Sequence, residues 1–210
     1  MPRLVTFGCS YTYGHGLPDC VTKSHGLNVG FGAKPSDFAW PQLLANKLGY
    51  ECLNLSVCGS GNFEILIDVL RTKFNPDDLV IIGYSYFTRY YFYQMVDKVD
   101  KGFPIPQTSP EHKNIVLRDL NTEHWHEKMY WDNWLTIQHI ELLLDSMGIK
   151  NFSFVHIPGG GKENKPDLIK LNNFIPDMKF IRVDTALDNA HPGLESHRLQ
   201  AEEIYSRINV

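Results

Sequence analysis

Residues 3–14 read RLVTFGCSYTYG, and the reading of this stretch decides the fold. Leu4 to Phe7 is a short apolar run that stops at Gly8, with Ser10 two positions on. A run of this length closed by glycine predicts a buried strand feeding a tight turn. Working outward, similar runs return at residues 51–55, 78–83, 151–157 and 179–183, and DLVIIG at 78–83 is the clearest of them. Helical spacing falls between these runs. Ser36 or Asp37 caps a stretch whose regular helix begins near Trp40, because Pro41 is tolerated only in a first turn, and Gly49 stops it. Residues 62–74 carry Phe63, Leu66, Ile67 and Leu70 at helical spacing; residues 125–147 follow, closed by Gly148, and residues 193–208 come last. Strands alternating with helices imply βαβ units and a parallel sheet covered on both faces. The expectation is one domain over residues 1–210, a three-layer α/β/α sandwich on a five-stranded parallel sheet.

The pattern dissolves in residues 84–124, first rich in tyrosine and phenylalanine and then in proline. A connection this long reads as an insertion with a functional or lid role. The run Tyr84, Tyr86, Phe87, Tyr90, Tyr91, Phe92, Tyr93 has two readings. The aromatics pack an irregular insertion or a subunit contact, or they stack on sugar rings beside a site. The first is the plainer reading.

Composition bounds the function. A chain of 210 residues buries roughly 70% of the surface its unfolded form exposes and needs no staples. The formal charge of −4, dispersed along the chain, gives no basic footprint for nucleic acid. Cys9, Cys20, Cys52 and Cys58 form no CxxC pair and read as free thiols. The N-terminus lacks the apolar core of a signal peptide, and no stretch approaches the ~18 apolar residues of a membrane helix. A cytoplasmic protein is expected, with phage encoding open as an origin. No partner beyond a small molecule or glycan is implied, and the oligomeric state is left open.

Ligands of open parallel sheets bind beyond the carboxyl ends of the strands. Gly8-Cys9-Ser10, then residues 56–62, then Gly83-Tyr84-Ser85, then His156, then Asp184 with Asp188 and His191 follow the five expected strands. A serine, glycine-rich backbone, an aspartate and a histidine on one rim are the parts of an acyl-transfer site.

Gly8-Cys9-Ser10-Tyr11-Thr12-Tyr13-Gly14 resembles the first block of the SGNH/GDSL hydrolases, a Gly-x-Ser-x-Thr-x-Gly turn. Asn54-Leu55-Ser56-Val57-Cys58-Gly59 resembles their second block, and Asp188-Asn189-Ala190-His191-Pro192 their last. The resemblance spans the chain and implies a flavodoxin-like fold and a serine esterase. It implies Ser10 as nucleophile, His191 as base and Asp188 as its orienter. The backbone N–H groups of Ser10 and Gly59 would hold the oxyanion, with no cofactor and no metal. Two positions depart from the pattern. Cys9 replaces the aspartate before the nucleophile, a position the chemistry does not need. Gly83-Tyr84-Ser85-Tyr86 replaces Gly-x-Asn-Asp, whose asparagine amide helps to hold the oxyanion. Loss of one such donor costs about 10²–10³ in turnover. Ser85 offers a shorter donor, and Arg89 is a candidate to replace it. Tyr11, Asn62, Tyr84 and Arg89 are candidate substrate-binding residues. The expected substrate is a carboxylic ester with a short acyl group, on a carbohydrate or another small alcohol.

Rival readings stand beside this one. Ser10 caps the first helix, His191 starts the last, residues 58–62 are an ordinary turn, or Asp184 orients the histidine. Cys9 beside Ser10 is a weaker nucleophile candidate, since nothing near it in sequence lowers its pKa. His124 and His126, two apart on a helix, face different ways and make a poor zinc pair. Gly159-Gly160-Gly161-Lys162 fails as a phosphate loop, because His156 and Glu163 stand where a glycine and a Ser/Thr belong. Two other functions remain open: a catalytically weak relative that binds a glycan or peptide in the same cleft, and a flavodoxin-like nucleotide-binding module.

Overall fold

The computed structural model describes residues 1–21, 23–24, 27–28, 32–87, 90–96, 99–105, 122–155, 173–175 and 178–208, with 23–28, 90–105 and 122–127 described by backbone alone. The sheet that carries the site has four parallel strands: β1 (Arg3–Gly8), β4 (Glu51–Asn54), β5 (Leu79–Tyr84) and β8 (Lys150–Val155). Their order is β4-β1-β5-β8, second-first-third-fourth in chain order, which is the flavodoxin-like arrangement. The register pairs Thr6 with Asn54, Gly8 with Gly83, and Tyr84 with Val155. All four strands therefore end on one rim.

Helices cover both faces. α2 (Trp40–Leu48) starts with Pro41 in its first turn and ends at Gly49 in the left-handed conformation. With α5 (Leu194–Arg207) it packs Trp40, Leu44, Ala45, Ala201 and Ile204 on Leu4, Leu79, Ile81 and Phe154. On the other face α3 (Asn62–Arg71) and α4 (Thr122–Ser146) bring Ile65, Val69, Ile137, Ile140 and Leu144 onto Val5, Phe7, Val80, Ile82 and Tyr84. Alternate residues of β1 and β5 thus serve opposite layers, and the strands read as continuous apolar runs because both faces are buried. None of the described helices is long and apolar enough to cross a membrane.

Two expectations need correction. Residues 179–183 form no fifth strand. The Ile181 N–H donates to Gln200 Oε1, and the N–H groups of Val183 and Asp184 donate to Ser196 Oγ, so α5 side chains take what a ladder would need. The edge beyond β8 is met earlier, by a parallel bridge between Ser153 and Phe174. The aromatic insertion is also less irregular than expected. β6 (Tyr90–Val96) and β7 (Val99–Ile105) pair as an antiparallel hairpin. Tyr84 and Phe87, at the start of that run, join the core. A short α1 (Ser10–Tyr13) follows β1, and β2 (Lys23–Ser24) and β3 (Leu27–Asn28) form a second small hairpin.

Candidate active site

Ser10 opens α1 directly beyond β1. The N–H groups of Thr12 and Tyr13 both donate to the Cys9 carbonyl, which turns the chain sharply at the strand end. Gly8 makes that turn possible: a Cβ there would lie 2.2 Å from Thr12 Oγ1 and 3.0 Å from the Gly83 carbonyl. The second block is tied to the first. Val57 N–H donates to the Gly8 carbonyl at 3.1 Å, and Asn54 Nδ2 donates to the Thr12 carbonyl at 2.9 Å. The segment carrying Gly59, whose φ is +89°, is thereby anchored to the strand end that carries Ser10.

The last block folds on itself. Thr185 bridges Pro192, and Ala186 N–H donates to the His191 carbonyl. Within this loop Asp188 Oδ1 accepts the N–H groups of Ala190 and His191, each at 3.0 Å. Asp188 Oδ2 lies 2.6 Å from His191 Nδ1, and His191 Nε2 lies 3.1 Å from Ser10 Oγ. Burial alone would raise the Asp188 pKa, but the two backbone N–H groups and the imidazole outweigh it and hold the carboxyl below its ordinary value. An ionised carboxylate only accepts, so Nδ1 carries a proton, and a neutral ring in this orientation presents the Nε2 lone pair to the serine hydroxyl. The loop docks through Leu187 N–H, which donates to the Gly16 carbonyl at 2.9 Å. Gly16 is required here, with φ at +85° and a Cβ that would meet Asp188 Cγ at 2.7 Å.

Asp184, the rival orienter, is engaged elsewhere. Its carboxylate accepts the Glu195 and Ser196 N–H groups and so caps α5. Tyr11 packs edge-on to His191 at 5.8 Å and to Phe180 at 5.2 Å. Asn62 and Tyr84 are fully buried. Asn62 Oδ1 accepts the Ser85 N–H at 2.8 Å, and its Nδ2 donates to Asn133 Oδ1 at 2.9 Å and to the Ser85 carbonyl at 3.4 Å. Asn133 in turn donates to the carbonyls of Phe87 and Met129. The Tyr84 hydroxyl donates to Glu141, away from the rim. Ser85 itself is 1% exposed. Arg89 and His156, like residues 158–166, lie outside the described residues, and the side chains of His124 and His126 do as well. The described cysteines are all unbridged.

Two participants have no strong sequence signal. Asn133 lies 71 positions from Asn62 and meets it only through the fold. His15 sits one residue past the first block, and its Nε2 lies 3.6 Å from Asp188 Oδ2. Burial first, and then the neighbouring His191, lowers the His15 pKa.

By sequence, neither a protein-family model nor a curated protein matches this chain. Its shape has counterparts among solved structures. A carbohydrate esterase aligns over 98% of this chain and 64% of its own, with 13% identity and a TM-score of 0.57. An acetyl xylan esterase from Butyrivibrio proteoclasticus aligns over 98% and 63%, with 14% identity and a TM-score of 0.56. The chain shares the α/β fold of these two esterases. It spans under two thirds of the length of those two proteins. At lower similarity a member of the lipolytic protein G-D-S-L family from Veillonella parvula aligns over 99% of this chain and 100% of its own, at 11% identity and a TM-score of 0.44.

Proposed function

We propose that this chain is a serine esterase that hydrolyses a carboxylic ester through an acyl-enzyme. The observation that carries the reading is the continuous contact from Ser10 Oγ to His191 Nε2 and from His191 Nδ1 to Asp188 Oδ2, at 3.1 and 2.6 Å. A serine hydroxyl is a weak nucleophile until a base takes its proton, and a neutral imidazole is suited to that near neutral pH. Ser10 Oγ attacks the ester carbonyl as His191 Nε2 accepts the proton. Asp188 stabilises the imidazolium and fixes its orientation. The backbone N–H groups of Ser10 and Gly59 are the oxyanion donors of this reading. His191 then protonates the leaving alcohol, and a water deprotonated by the same imidazole cleaves the acyl-serine. A short acyl group on a carbohydrate is the favoured substrate, a choice supported by the carbohydrate and acetyl xylan esterases that share the fold.

A fluorophosphonate probe followed by intact-mass measurement tests this reading. One stoichiometric adduct is expected on the wild type and none on Ser10→Ala. No adduct on a folded wild-type protein would overturn it. The second reading, a weak relative that binds a glycan in the same cleft, is favoured by the third block, where the asparagine is missing. The carbohydrate esterase similar to this chain has an active site described as displaying divergent catalytic and non-catalytic binding functions.

A further inference from the structure

The proposed reaction gives no part to His15, yet this side chain stands against the triad. Its ring is perpendicular to that of His191, with centroids 4.6 Å apart, and its Nε2 is 3.6 Å from Asp188 Oδ2. Among the described residues, His15, Asp188 and His191 are the one group in which three side chains offer a ligand atom each with all of these atoms within 4.8 Å of one another. We propose that His15, Asp188 and His191 form a capture site for a divalent transition-metal ion, zinc foremost, and that occupancy switches the triad off.

The ligand chemistry suits zinc, which takes imidazole nitrogen and carboxylate oxygen at about 2.0–2.2 Å. Two such ligands around a tetrahedral ion stand roughly 3.4 Å apart by that geometry. The 3.6 Å between His15 and Asp188 is already close to this, the 2.6 Å His191 contact would have to open to reach it, and the three ligand atoms lie within 4.8 Å of one another. The backbone holds the ligands in place beforehand. His15 N–H donates to the Ser10 carbonyl, Leu187 N–H donates to the Gly16 carbonyl, and Asp188 is fixed by two N–H groups of its own loop. The three side chains are 12%, 12% and 23% exposed, so an ion can reach them from solvent, which supplies the fourth ligand.

Either mode of coordination disables the base. An ion on Nε2 of His191 occupies the lone pair that must accept the Ser10 proton. An ion on Nδ1 moves the single proton of the neutral ring to Nε2, with the same effect. The switch rests on the esterase reading; the capture site does not.

Isothermal titration of zinc into Ser10→Ala, a background with no turnover, reads the site directly. One equivalent is expected to bind, and the added substitution His15→Gln to weaken it by about tenfold or more. Asp188→Asn in place of His15→Gln should act in the same direction, and thermal melts check that each variant is folded. Equal affinity with and without His15 would overturn the site. In the wild type, zinc should slow adduct formation with the fluorophosphonate, and EDTA should restore it. Binding without slowing would overturn the switch, whereas no adduct even in EDTA would count against the esterase reading alone.

Discussion

On one side of Ser10, Asp188 accepts two backbone N–H groups and the His191 ring, and its carboxylate is thereby set to position one imidazole. On the other side, the third loop turns its polar groups inward. The Ser85 N–H goes to Asn62, Asn62 goes to Asn133, and Asn133 goes to the carbonyls of Phe87 and Met129. The base half is organised around the reacting atom, and the third loop around its own stability. On the proposed esterase reading, charge developing on the substrate would then fall mainly to the backbone N–H groups of Ser10 and Gly59. On that reading, such a site activates its nucleophile well and stabilises its transition state less.

The largest effect should come from the base half. His191→Ala is expected to lower kcat by on the order of 10⁴–10⁶ with the fold unchanged, read by ester hydrolysis and circular dichroism. Combining it with Ser10→Ala should add little, because the two act as a unit. A loss under tenfold would break the comparison outright, since the ordered histidine would then not be the base.

Next comes Gly16→Ala. The new methyl would meet Asp188 Cγ at 2.7 Å from a backbone with φ at +85°, so the Asp188 loop must shift. A displacement near 1 Å in a catalytic group costs about 10²-fold. The fall should appear in kcat rather than KM, because no contact to substrate is removed.

At the start of α3, beneath the third loop, Asn62→Ala removes the buried partner of the Ser85 N–H and of Asn133 Oδ1. Stability should drop by roughly 1–3 kcal/mol in urea titration. The accompanying loss of rate should stay below that of Gly16→Ala. Ser85→Ala sharpens the point: a loss well under the ~10² typical of an oxyanion donor places the third loop outside the electrostatic machinery.

The base half was largely legible in the sequence, because its logic is local. Asp188 and His191 are three residues apart, Gly8 and Ser10 two, and β1 and β5 are apolar runs whose burial follows from composition. What stayed hidden depends on residues distant in sequence. Nothing in Asn62 announces Asn133, and nothing in residues 179–183 announces that Gln200 and Ser196 would satisfy their N–H groups and leave the sheet at four strands among the described residues. The hairpin of β6 and β7 has no sequence signal for another reason: YYFYQMV is aromatic at successive positions, so the two-residue alternation that marks a strand is absent.

The smallest expected effect lies beneath the third loop, where Tyr84 and Ser153 both donate to Glu141 Oε1 while Oε2 is buried without a partner. Burial raises the Glu141 pKa, and the two hydroxyl donors offset only part of that. With the folded value above the unfolded one, near ~4.3 for a free glutamate, its contribution is fully present below ~4.3 and is lost as pH rises through the folded value. His197 acts in the opposite sense. Burial lowers it from its ordinary value to about 3, so its contribution is present above ~6.5 and is lost as pH falls toward 3. The two overlap in the wild type, so a single Tm profile separates neither. The difference between wild type and Glu141→Gln does, because His197 is common to both. Glu141→Gln should gain stability relative to wild type as pH rises above ~4.3, and the difference should level off once Glu141 is ionised in both states. A difference that stays flat across that range would mean that the carboxyl is not destabilised by burial, and that the third loop rests on a charged group instead of a neutral one.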